Sequence, residues 1–82
     1  MKSYKIGIIG LGYVGFPLAC LFAKKYPTVG YDPYQERVAR LSEGVDVTNE
    51  ISTKVIQARL STHLRCTANP NELRDCNVYI VA

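Results

Sequence analysis

Short apolar runs alternate along the chain with runs whose apolar positions recur every three or four residues, a pattern that predicts strands and helices in turn. Tyr4 to Ile9 contains β-branched residues and ends at Gly10, the profile of a buried strand. From Val14 the spacing becomes helical: Val14, Leu18, Leu21 and Phe22 recur as the stripe of an amphipathic helix, and Lys24 and Lys25 mark its C-terminal end. With a start at Tyr13 or Val14, Pro17 falls in the first turn, where N–H groups lack intrahelical acceptors in any case. Thr28 to Tyr31 predicts a second strand that stops at Asp32-Pro33. A second helix is expected over Tyr34 to Ser42, with Val38 and Leu41 inward, Glu36, Arg37 and Arg40 toward solvent, and Gly44 as its terminating residue. Ile51, Val55, Ile56 and Leu60 suggest a third helix, with Thr48 or Asn49 near its start. Leu64 to Thr67 predicts a short strand, Glu72 to Asp75 a helical turn after Asn69-Pro70-Asn71, and Asn77 to Ala82 a final strand.

Strands alternating with helices imply an α/β fold, a parallel sheet with helices on its faces and right-handed crossovers. The last run, "NVYIVA", is apolar at consecutive positions, which marks a strand buried on both faces and in need of neighbours. The expectation is therefore that these 82 residues are the N-terminal part of a longer doubly wound domain.

Composition narrows the function without naming it. Hydrophobic residues make up 48% and charged residues 21%, as in an ordinary folded domain. The net charge of +3 comes from scattered basic residues, which argues against a dedicated nucleic-acid binder. No apolar stretch approaches the roughly 18 to 20 residues of a membrane span, so the expectation is a cytoplasmic protein with no membrane partner. Cys20, Cys66 and Cys76 lack a C-x-x-C spacing and a neighbouring base, so buried reduced thiols are expected rather than a metal site or a nucleophile. His63, among Ser61, Thr62 and Leu64, reads as a loop residue.

The chemistry lies in the first turn. Gly10-x-Gly12-x-x-Gly15 follows a predicted strand and opens a predicted helix, the context in which this spacing binds a dinucleotide. Gly10 permits a tight turn, Gly12 lets a pyrophosphate approach the backbone, and Gly15 lets the helix pack closely on the strand. The helix start, with Tyr13 and Val14 inside the loop, offers N–H groups and a positive dipole end to a diphosphate. Asp32 follows about twenty residues later at the end of the second strand, placed to accept from both hydroxyls of an adenosine ribose. A 2′-phosphate beside that carboxylate meets repulsion of about 4 kcal/mol per unit charge at ~4 Å in an effective dielectric of ~20, which favours NAD over NADP. The plainer reading is that the glycines serve any tight turn and Asp32 caps the next helix. Arg37 either lies over the adenosine end of the cofactor or is one more solvated charge beside Arg40.

The run "KIGIIGLGYVGFPLACLFAKK" resembles the N-terminus of the UDP-glucose/GDP-mannose dehydrogenase family, with its G-L-G-Y-V-G followed by Pro-Leu-Ala. "GYDPYQERVARLSEGVDVTNEIS" is similar to the branch that oxidises UDP-N-acetylhexosamines, in which G-x-D-x-x-x-x-R is followed by Gly-x-Asp-x-Thr-x-Glu. Where the UDP-glucose branch more often has Glu-Pro-Gly-Leu, this chain has Val45-Asp46-Val47-Thr48. The resemblance implies a Rossmann-type NAD-binding domain, backbone contact to NAD at Tyr13 and Val14, the ribose carboxylate at Asp32 and a basic contact at Arg37. It also implies two oxidations of a UDP-sugar C6 alcohol to a carboxylate with two NAD, for surface polysaccharide, by a protein that is a homo-oligomer when full length. The family's catalytic residues lie in later motifs, so no catalytic residue is assigned here. A nucleotide-sensing module without chemistry, or another Rossmann dehydrogenase acting on UDP-glucose or UDP-N-acetylmannosamine, is the alternative.

Overall fold

A computed structural model describes residues 3–46 and 51–82. Its strands are β1 (Ile6–Ile9), β2 (Thr28–Tyr31), β3 (Leu64–Thr67) and β4 (Val78–Val81), and its helices α1 (Gly15–Phe22), α2 (Gln35–Ser42) and α3 (Thr53–Leu60). A short 3₁₀ turn, Pro70–Leu73, precedes β4. All pairings are parallel and the strand order is β3-β2-β1-β4.

Register and the two-residue strand period divide the sheet into two faces. Ile6 and Ile8 of β1 and Leu64 of β3 join Phe16, Ala19 and Cys20 of α1, Leu41 of α2 and Ile56 of α3 in the main core. Val29 packs on the opposite face with Leu73 and Cys76. Phe16, Ile8, Leu11, Leu41 and Ile56 are fully buried, each contributing about 1.5 to 3 kcal/mol relative to exposure.

Helix α2 follows its sequence pattern, with Val38 and Leu41 buried. Its end is a Schellman motif: the Gly44 N–H bonds the Leu41 carbonyl, the Val45 N–H bonds the Arg40 carbonyl, and Gly44 has φ +88°. Helix α1 departs from its pattern. Its buried residues are Gly15, Phe16, Ala19 and Cys20, whereas Val14 and Leu21 are exposed. The helix is apolar nearly all round, so spacing alone could not choose a face. Close contact between Gly15 and the Gly10 backbone sets its rotation instead. It also stops at Phe22, before Lys24 and Lys25, whose N–H groups bond the Leu21 and Phe22 carbonyls in tightened turns.

Helix α3 begins after Ser52, whose hydroxyl accepts from the Val55 N–H; Thr48 and Asn49, expected near its start, lie outside the described residues. The 3₁₀ turn opens at Pro70, two residues before the expected Glu72, because Asn69 caps it and proline suits a first helical position. Strand β4 differs most from expectation. Among the described residues it pairs only with β1, and Tyr79 and Val81 are 50% and 80% exposed. On this face Leu73 of the 3₁₀ turn packs with Val29, and the Tyr79 hydroxyl donates to the Leu73 carbonyl.

Candidate functional site

The strand order steps from β1 to β2 to β3 in one direction and then places β4 on the other side of β1. The carboxyl ends of β1 and β4 therefore flank the topological switch point, where open parallel sheets receive ligands. The glycine turn lies at that point: the Ala82 N–H bonds the Ile9 carbonyl and the Gly10 N–H bonds the Tyr31 carbonyl.

Each glycine in the turn faces a different constraint. Gly10 has φ +103°, and a Cβ there would lie 2.6 Å from the Ala82 carbonyl oxygen. At Gly15 a Cβ would lie 1.6 Å from the Gly10 carbonyl oxygen, so only glycine lets α1 approach. Gly12 is different. Nothing lies within 4 Å of the place its Cβ would take, and its φ is outside the left-handed region. Neither packing nor backbone strain among the described residues calls for glycine there, and the space it leaves is open.

Beside that space the N-terminal end of α1 carries no side-chain cap and no acid in its first turn. Tyr13 and Val14 are 70% and 63% exposed around it. Backbone N–H groups at an uncapped helix start, with the positive dipole end behind them, suit an anion. A diphosphate fits this arrangement.

Asp32 sits at the rim and is largely buried. Its Oδ2 accepts from the Leu11 N–H at 3.0 Å and its Oδ1 from the Tyr34 N–H at 3.0 Å. It is thus not the capping residue of α2, which is Tyr34, but it closes the turn before that helix. A carboxylate has about four acceptor positions, so each oxygen keeps capacity for a hydroxyl donor. Arg37 is not a solvated charge. Its Nε donates to the Leu11 carbonyl at 2.8 Å, and its Nη2 lies 3.6 Å from Asp46 Oδ1.

The structure brings Gly10, Gly12, Tyr13, Val14, Gly15, Asp32 and Arg37 to one edge of the sheet. Leu11, read from sequence only as the spacer between two glycines, proves central. Its N–H and carbonyl are held by Asp32 and Arg37, and its buried side chain fills the space over Gly30, where a Cβ would lie 2.7 Å from Leu11 Cδ2. Its apolar character was the available signal, since a solvent-facing loop would not require leucine.

Other reactive groups stand apart. Burial pushes the Cys20 thiol up to about 11 and Cys66 up to about 12, so both are protonated at neutral pH. Burial also raises the Cys76 thiol. His63 donates from Nδ1 to the Ala23 carbonyl at 2.9 Å. Among the described residues no group of His, Cys, Asp and Glu could hold a metal ion, and no helix is long and apolar enough to cross a membrane.

The sequence model of the UDP-glucose/GDP-mannose dehydrogenase family, NAD binding domain, matches residues 4–82. The chain belongs to that family. The UDP-N-acetyl-D-glucosamine 6-dehydrogenase of Pseudomonas aeruginosa is 43% identical over 81 residues, which are 99% of this chain and 19% of the relative. The enzyme of the same name from Salmonella typhi is 42% identical over 81 residues, again 99% of this chain and 19% of the relative. The solved UDP-D-ManNAc dehydrogenase of Pyrococcus horikoshii superposes with a TM-score of 0.90 at 33% identity, covering 95% of this chain and 19% of that one. This NAD-binding domain chain thus spans about a fifth of the length of the dehydrogenases it matches.

Proposed function

We propose that this chain is the N-terminal, cofactor-binding part of a nucleotide-sugar 6-dehydrogenase that oxidises the C6 alcohol of a UDP-N-acetylhexosamine to a carboxylate with two NAD. The observation that carries the reading is the open space at Gly12, a glycine that the fold itself does not require, beside an uncapped helix start. In this reading the backbone of Gly12, Tyr13 and Val14 receives the diphosphate, Gly10 and Gly15 shape the turn, and Asp32 accepts from the ribose hydroxyls. Bound NAD supplies the hydride acceptor; the chain's own part is to seat it at the sheet edge and to disfavour a 2′-phosphate through the Asp32 charge. The identity to two UDP-N-acetyl-D-glucosamine 6-dehydrogenases supports the hexosamine substrate. The whole protein is proposed to work in the cytoplasm as a homo-oligomer, with a role in surface polysaccharide synthesis. Mixing the native gene product with NAD and single UDP-sugars, and following absorbance of reduced nicotinamide, tests this. Reduction with a UDP-N-acetylhexosamine is expected; no reduction with any nucleotide sugar overturns the proposal.

A further inference from the structure

Arg37 and Asp46 form a connection that the glycine motif does not contain. The Asp46 side chain is fully buried, and its Oδ2 accepts from the Ile51 N–H at 3.1 Å, just ahead of α3. Its Oδ1 faces Arg37 Nη2 at 3.6 Å, and the same guanidinium donates through Nε to the Leu11 carbonyl at 2.8 Å. Arg37 is 16% exposed, and its buried Nη2 has no hydrogen-bond partner among the described residues, so it is held toward Asp46 by charge. A buried carboxylate is tolerated only when paired and hydrogen-bonded, which fixes the guanidinium in place. The Leu11 peptide is thereby clamped from both ends, its N–H by Asp32 and its carbonyl by Arg37. Gly12, the next residue, inherits that orientation.

We propose that Arg37 is a positioning residue that sets the glycine loop through the Leu11 carbonyl, and that Asp46 governs the loop from a distance by holding Arg37. This rests on the reading of the loop as the NAD site, and it differs from a direct contact between Arg37 and the cofactor. In that direct case, removing the contact leaves the ligand-free loop unchanged. In the proposed case, the loop loosens before any ligand is present.

The test is amide hydrogen exchange of the ligand-free native gene product, with NAD affinity measured by calorimetry, for Asp46→Asn, Arg37→Lys and the double variant. Asp46→Asn keeps the shape and removes the charge; Arg37→Lys keeps the charge and removes the Nε donor. Exchange at Leu11, whose N–H is held by Asp32, and at Phe16, whose N–H is held by the Gly12 carbonyl, is expected to quicken about tenfold in either single variant, while Ile8 in β1 keeps its protection. NAD affinity is expected to fall on the order of tenfold, with the double variant no worse than the poorer single one. Unchanged loop exchange in both single variants overturns the proposal, even where NAD affinity falls. Equal loss of protection at Ile8 in both also overturns it, since the effect is then global. A native protein that fails to bind NAD removes the reading of the site, yet leaves the exchange comparison to decide the clamp by itself.

Discussion

The two strand-to-helix turns at the carboxyl edge of the sheet are built on opposite plans. Between β1 and α1 the chain uses glycines, and the helix start is uncapped and open. Between β2 and α2 it uses a carboxylate, and Asp32 closes the turn on the Tyr34 N–H. The second turn also supports the first, because the other Asp32 oxygen holds the Leu11 N–H. An anion site needs donors that the protein leaves unfilled, and a loop with unfilled donors must be anchored from elsewhere.

The comparison breaks most visibly at Gly15. A methyl group there collides with the Gly10 carbonyl, so Gly15→Ala is expected to cost about 3 kcal/mol or more. Urea denaturation of the full-length protein reads this; an unchanged midpoint would mean that α1 does not depend on the close approach. Asp32→Ala should cost about 2 kcal/mol, since two backbone N–H groups lose their acceptor. It should also weaken NAD and narrow the preference over NADP, and calorimetry with both cofactors checks that. Gly12→Ala sharpens the contrast with Gly15. Its expected effect on stability is within about 0.5 kcal/mol, while NAD affinity falls about tenfold, or ~1.4 kcal/mol.

The smallest effect lies away from both turns. Thr67 and then Arg65 bond the Glu72 carboxylate and lower its pKa from the ordinary 4.5. A carboxyl that binds protons less readily when folded stabilises fully above its unfolded value, and that stabilisation is lost as pH falls through the folded one. Thermal unfolding is therefore expected to show a slightly steeper loss below about pH 4.5 in the native protein than in Glu72→Gln. Identical acid profiles would remove Glu72 from the account. Solvent screening keeps this contribution modest.

The helices show why some of this was legible in the chain and some was not. Helix α2 has a distinct apolar stripe, and its Val38, Leu41 and Gly44 all stand where the pattern puts them. Helix α1 is apolar on most sides, so its buried face came from a backbone contact that no periodicity encodes. Strand β4 looked like a doubly buried strand because apolar content does not say what covers it. For Arg37 the sequence left two roles open, a contact over the adenosine end of the cofactor and a solvated charge beside Arg40. Its actual partners, Leu11 and Asp46, come from a different turn and from beyond the helix end.

The order of strands and helices, the glycine turn and the acidic residue after β2 were determined by the sequence alone, because each rests on local spacing and backbone freedom. Tertiary structure decided which glycine serves the fold and which leaves room, what Asp32 and Arg37 hold, and which side of α1 is buried. Those outcomes depend on contacts between segments far apart in the chain, and such contacts exist only once the sheet has assembled.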